Sequence, residues 1–183
     1  MKIVAFAASS SRSSINKQLV TYTAPLTKEI VPGAEVEVID LNDYEMPLYS
    51  IDREKEDGIP PQAQAFRDKI ASAGALIISF AEHNGSYAAA YKSLFDWASR
   101  IEGKVYEGKP VVLLSTSPGA RGGASVLAQA RQSMPHFGAT ELCHLSVPSF
   151  FEVFSVEEGR VTDEEVHDHL QTALKSLTSL ARN

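Results

Sequence analysis

A second cysteine is absent from this 183-residue sequence. Cys143 stands alone, which excludes an internal disulfide framework and any Cys-x-x-Cys redox or zinc motif. Redox chemistry, if the chain performs it, needs another carrier. Long apolar runs are missing as well: no stretch approaches the roughly 20 apolar residues of a membrane span. The short apolar start Met1–Ala8 turns polar before it reaches the length of a signal peptide's apolar segment. A cytoplasmic protein with no membrane partner is the expectation. Basic charge is scarce, with 17 Lys plus Arg against 23 Asp plus Glu and a net charge of −6. A nucleic acid would be repelled on average, so no nucleic-acid partner is expected. A small anion is not excluded, because a local cluster of backbone N–H groups can hold one against the net charge. Repeats, low-complexity tracts and interdomain linkers are also lacking, and the expectation is one domain over residues 1–183.

What is present is an alternation. Strand-length apolar runs at Ile3–Ala8, Glu35–Ile39, Ala75–Phe80, Val111–Thr116 and Glu141–Val147 are separated by segments of helical period. Ile15, Leu19, Tyr22 and Leu26 mark the first helix, and Phe66, Ile70 and Ala73 the second. Leu94, Phe95, Ala98 and Ile101 mark the third, and Val126, Leu127 and Ala130 the fourth. Val166, Leu170, Leu174, Leu177 and Ala181 mark the last, with Thr162 and Glu165 in the Thr-x-x-Glu pattern of a capping box. Parallel strands need crossovers and helices serve them, so the class is α/β with a mostly parallel sheet in a three-layer sandwich. Runs such as Leu76-Ile77-Ile78 are apolar on both faces, as covered central strands are. The segment Leu41–Gln62, with three prolines and mixed charge, reads as a long functional or flexible loop.

Ligands of open α/β sheets bind at the carboxyl ends of the strands, and there three loops stand out. Ser9-Ser10-Ser11-Arg12-Ser13-Ser14-Ile15-Asn16 brings five serines and an arginine to a strand-to-helix turn. Those residues suit a phosphate, or simply cap a helix. Glu82-His83-Asn84-Gly85-Ser86-Tyr87 suits the edge of a flat heterocycle, or forms a plain strand-to-helix turn. Ser117-Pro118-Gly119-Ala120-Arg121-Gly122-Gly123 carries three glycines within five residues, for close ligand approach or for positive φ. Neither GxGxxG nor GxxxxGK[ST] occurs, against a Rossmann dinucleotide or Walker site. One phosphate-type loop and two ring-type loops on one rim describe a mononucleotide with a planar head group.

Together the loops resemble the NADPH-dependent FMN reductase family, a flavodoxin-like group that includes chromate, quinone and azo-dye reductases. The family's Gly-Ser-x-Arg-x-x-Ser-x-Asn is matched at Ser9, Ser14 and Asn16, with Ala8 for the glycine and Ser11 for the arginine. Pro-Glu-Tyr-Asn-Gly-Ser is similar to Ala81–Ser86 with His83 for the tyrosine, followed by Tyr91-Lys92-Ser93 and Asp96-Trp97. Ser-x-Gly-x-x-Gly-Gly is similar to Ser117–Gly123, and Leu-Pro-Ser-Phe to Val147–Phe150.

The resemblance implies a five-stranded sheet of order 2-1-3-4-5. It implies that Ser9, Ser11, Ser14, Ile15 and Asn16 hold the FMN phosphate, with Arg12 supplying the charge missing at Ser11. It implies that Glu82, His83, Asn84, Gly85, Ser86 and Tyr87, with Ser117, Gly119, Ala120, Arg121, Gly122 and Gly123, line the isoalloxazine. The activity implied is ping-pong transfer from NADPH or NADH through FMN to a quinone, flavin, azo compound or metal oxyanion. The flavin does the chemistry, so no acid–base residue is assigned as catalytic and no metal is called for. A homodimer or homotetramer is implied as well. Two other readings stand beside the enzyme: a flavodoxin-like electron carrier, and a fold retained as an interaction module.

Overall fold

Alternation within the first strand, β1 (Lys2–Ala8), divides its side chains between two cores. Val4, Phe6 and Ala8 enter one; Ile3, Ala5 and Ala7 enter the other. In the computed structural model, which describes residues 1–180, β1 is joined by β2 (Glu35–Ile39), β3 (Ala75–Phe80), β4 (Pro110–Thr116) and β5 (Thr140–Val147). All pairings in this sheet are parallel and the order is β2-β1-β3-β4-β5. This is the 2-1-3-4-5 arrangement the resemblance implies. The order reverses between β1 and β3, so their carboxyl ends flank the crevice where such sheets take ligands.

The helices are α1 (Ile15–Ile30), α2 (Ile51–Asp57), α3 (Pro61–Ala71), α4 (Ala89–Ile101), α5 (Ala124–Ser133) and α6 (Glu164–Lys175). Phe66 and Ile70 of α3, Leu94 and Ala98 of α4, and Val126 and Leu127 of α5 cover one face of the sheet. Leu19 and Val20 of α1 and Leu170 and Leu174 of α6 cover the other. Edge strand β2 is only partly buried, and Glu37 on it receives Lys69 at 2.7 Å and Lys2 at 3.0 Å. Hydrogen bonds from Lys69 and then Lys2 hold the Glu37 carboxyl below its ordinary range.

Two expectations are corrected. Leu41–Gln62 is not a structureless loop: a 3₁₀ turn at Leu41–Tyr44 is capped by Asp40, α2 is capped by Ser50 through the Arg53 N–H at 3.2 Å, and α3 starts at Pro61 itself. None of the residues of α2 is buried, so it has no apolar stripe to reveal its period. Pro61 occupies the first helical position, where its missing N–H costs nothing. The capping box at Thr162 does not form either. The Asp163 carboxylate accepts the Val166 N–H at 2.9 Å, while the Thr162 N–H is spent on Val153 O at 2.8 Å in the adjoining hairpin. Ala181, the last residue of the predicted apolar row, lies outside the described residues.

Candidate functional site

The loop after β1 is shaped by its own serines. Ser9 is buried and its hydroxyl accepts the Ser11 N–H at 3.2 Å; Ser14 caps α1, accepting the Lys17 N–H at 3.2 Å. The N–H groups of Arg12, Ser13, Ile15 and Asn16 find no acceptor among the described residues. They stand at the positive end of the α1 dipole. Ser11, Arg12 and Ser13 are exposed, and none of the ion pairs among the described residues uses Arg12. Lys17, by contrast, is taken by Asp40 at the end of β2. Burial alone would raise the Asp40 carboxyl, but hydrogen bonds from Lys17 and Asn42 outweigh it and hold the group ionised. The free cation at this loop is therefore Arg12.

Asn16 turns inward. Its Oδ1 accepts from Ser79 Oγ at 2.8 Å and from the Thr116 N–H at 3.1 Å, and its Nδ2 donates to Thr116 O at 3.2 Å. Ser79, Thr116 and Asn16 are all buried, so this amide staples the start of α1 to the ends of β3 and β4. Ser79 and Thr116 were not singled out by the sequence reading. Inside an apolar strand each looks like a polar interruption.

The second loop is a small hairpin, Glu82–His83 against Ser86–Tyr87, turning on Asn84 (φ 52°) and Gly85 (φ 78°). Asn-Gly is the usual pair for a two-residue hairpin turn, because both positions need positive φ. The hairpin docks on α5 at three points. Glu82 Oε2 accepts the Val126 N–H at 2.9 Å, Ser86 Oγ donates to Gln129 at 2.9 Å, and Tyr87 OH meets Ser133 Oγ at 2.9 Å. His83, Asn84 and Gly85 are left exposed at the rim. The Tyr87 ring leans on Phe80 and Tyr91 at centroid distances of 5.6 and 5.1 Å, and burial raises its phenol above the ordinary range.

In the third loop the glycines differ. Gly122 and Gly123 have φ of 57° and 76° and press on Ser146–Pro148 and Ser115. Gly119 has an ordinary φ, and a Cβ there would meet nothing within 4 Å. The fold needs glycine at 122 and 123 but not at 119. Ser117 is half-buried, while Ala120 and Arg121 are exposed beside Gly119.

Beside the first loop, a hollow of about 450 Å³ opens between Ser10 and Arg12, the Leu41–Leu48 segment and the first turns of α4. Among the described residues no group of three or more His, Cys, Asp or Glu could hold a metal ion, and no helix is long and apolar enough to cross a membrane. His144 and His136, expected to be structural, are exposed; His167 packs between Tyr22 (2.6 Å) and Gln171 (2.9 Å). The rim thus offers unpaired N–H donors and a cation in one loop and open backbone in two others. It is equipped to bind an anion joined to a flat body.

Residues 1–151 match the family described as NADPH-dependent FMN reductase. An NADPH:quinone oxidoreductase of Arabidopsis thaliana is 32% identical over 97% of this chain and 90% of its own length. An NAD(P)H-dependent FMN reductase of Pseudomonas aeruginosa is 31% identical over 81% of this chain and 79% of its own. Among solved structures, a flavoenzyme NAD(P)H:(acceptor) oxidoreductase of Paracoccus denitrificans superposes with a TM-score of 0.74 at 24% identity, covering 99% of this chain and 97% of that one. A flavodoxin of Pseudomonas aeruginosa superposes with a TM-score of 0.56 at 16% identity, covering 96% and 99%.

Proposed function

The chain belongs to the NADPH-dependent FMN reductase family, and from that premise we propose how its own residues serve an FMN-carrying NAD(P)H oxidoreductase that acts on quinones. When bound, FMN supplies the redox chemistry, accepting hydride equivalents from NADPH or NADH and delivering them to the acceptor in a second half-reaction. The observation that carries the placement is the set of unpaired donors at Arg12, Ser13, Ile15 and Asn16. Those N–H groups, with the Ser11 and Ser14 hydroxyls and the Arg12 guanidinium, hold the phosphate. Ser9 and the Asn16 amide keep the loop in shape from below.

Glu82 acts on the ring site through α5: by capping the helix it fixes the hairpin, and the exposed tip His83-Asn84-Gly85 then borders the isoalloxazine. Ser86 and Tyr87 hold the hairpin's second strand. Across the ring, Ser117, Gly119, Ala120 and Arg121 present backbone that a planar body can approach, while Gly122 and Gly123 hold that backbone in place. No side chain is required to carry a proton in the hydride step. Stopped-flow mixing of the FMN-loaded protein with NADPH and with NADH tests the reading: fast loss of the visible flavin band with at least one nucleotide is expected, and slow reduction by both would leave only an electron carrier.

Arg12 takes the role that an arginine at position 11 would have. Arg12→Ala removes a charge-assisted hydrogen bond worth about 1.5–3 kcal/mol. The FMN dissociation constant is expected to rise roughly ten- to hundredfold. An unchanged constant, measured by fluorescence titration of the flavin, would remove Arg12 from the phosphate site.

Three broader readings complete the proposal: one flavodoxin-like domain over residues 1–183, a cytoplasmic location, and assembly as a homodimer or homotetramer. The assembly is supported by a second hollow of about 210 Å³ between α4 and α5, lined by Tyr87, Tyr91, Phe95, Met134 and Phe137. A second copy would cover this apolar surface.

A further inference from the structure

We propose that the hollow between the Leu41–Leu48 segment and the start of α4 is the pocket for the quinone. It takes a planar, uncharged ring system, and the segment is a specificity wall fastened to α4 by Trp97. The inference rests on the cofactor placement above, because the hollow shares Ser10 and Arg12 with the phosphate loop. Its other walls come from outside the three cofactor loops. Leu41, Tyr44, Met46 and Leu48 form one side; Ala89, Ala90 and Leu94 form the other. The volume of about 450 Å³ is that of a small-molecule site. The lining is apolar with few polar groups, among them the Arg12 guanidinium and the Ser93 hydroxyl. A flat carbonyl-bearing ring fits that chemistry: its faces lie against Tyr44, Met46 and Leu94, and a carbonyl oxygen accepts from Arg12.

The wall is held more firmly than its own burial explains. Leu48 is 65% exposed and Ile51 46% exposed, so their apolar side chains contribute little to the core. Yet the backbone on either side is tied down. Trp97 Nε1 donates to Pro47 O at 2.7 Å, the Tyr49 N–H donates to Ser93 Oγ at 3.0 Å, and the Tyr49 ring stands edge-on to Trp97 at 5.0 Å. Glu54 then accepts from Tyr49 OH at 3.0 Å and from Arg100 Nε at 2.9 Å. A fixed backbone that displays apolar side chains at the mouth of a hollow is arranged for a ligand. Met46 and Leu48 contact the quinone, whereas Trp97, which lines no part of the hollow, is a positioning residue.

The chain holds one tryptophan, so its single indole N–H resonance reports on this wall. The experiment uses the oxidised, FMN-loaded protein without nicotinamide, so that nothing turns over, and adds 1,4-naphthoquinone. A saturable shift of the Trp97 indole signal is expected. Ala90→Leu, a helix-compatible change at an exposed position, fills part of the hollow and should raise the naphthoquinone dissociation constant and KM about tenfold, with a smaller rise for the single-ring 1,4-benzoquinone. Trp97→Phe keeps the ring against Tyr49 but loses the bond to Pro47, and should raise the naphthoquinone KM severalfold with little change in kcat.

No indole shift, or an unchanged KM ratio between the two quinones in Ala90→Leu, would overturn the pocket. An FMN dissociation constant that rises in step with the KM would assign the hollow to the cofactor instead. A changed oligomeric state with an unchanged quinone KM would assign it to a second copy. If the wild-type chain binds no FMN at all, the cofactor placement itself has failed, an outcome distinct from any of these.

Discussion

Replacing Asn16 with leucine is expected to destabilise the protein by about 4 kcal/mol, because it strands buried groups that have no water to turn to. The Ser79 hydroxyl and the Thr116 N–H both lose their acceptor, and Thr116 O loses its donor. A buried polar group left unpaired costs about 1–3 kcal/mol, and Ser79 can recover part of this by rotating toward a neighbouring backbone carbonyl. Asn16→Asp separates the fold from the ligand. It keeps the acceptor that serves Ser79 and the Thr116 N–H, and its charge sits favourably at a helix N-terminus. Only the donor to Thr116 O is lost. The stability cost should therefore be smaller than for leucine, while the added negative charge beneath the phosphate loop should weaken FMN binding strongly. Urea denaturation of the FMN-free protein and flavin titration of each variant measure the two effects separately. Equal stability losses for leucine and aspartate would mean that the amide's acceptor is not what holds the strand ends together.

The architecture was legible because parallel strands covered on both faces must be continuously apolar, and β3 and β4 are. The five helices with an apolar stripe were legible for the same reason. Helix α2 was not, since its surface is polar or half-exposed all round and only the Ser50 cap and Gly58 stop mark it. The position of the site followed from three ligand-type loops at successive strand ends, but the bonding beneath it did not. Asn16 meets Thr116 across 100 residues of chain, a contact that no local pattern encodes. Ser79 within Leu76–Phe80 is a polar residue in a fully buried strand, and such a residue signals a buried partner without naming it. The Asn84-Gly85 pair was a readable hairpin signal flanked by runs too short to look like strands. The cavity wall from Leu41 to Leu48 was hidden because its apolar residues face outward and share no period.

The second large effect separates two glycines of the same loop. Gly122→Ala is expected to destabilise the protein by about 3–5 kcal/mol, combining a left-handed backbone with overpacking against a rigid neighbour. The new Cβ would overlap Ser146 Oγ and stand 2.8 Å from both Pro148 N and Val147 C, at a φ of 57°. The hydroxyl can rotate away; the β5 backbone cannot. Gly122→Ala combined with Ser146→Gly should therefore regain only the part owed to the hydroxyl. Gly119→Ala is the contrast, with an ordinary φ and open space around the new methyl. There the stability should stay level or rise by about 0.4–1 kcal/mol, since alanine restricts the unfolded chain. The same methyl would stand between this backbone and a ring lying on it, so FMN affinity should fall although the fold is intact. Thermal melts of the FMN-free variants beside flavin titrations test both halves. A stable Gly119→Ala protein with wild-type affinity would place the isoalloxazine away from this loop, whereas an unstable one would mean that residue 119 serves the fold.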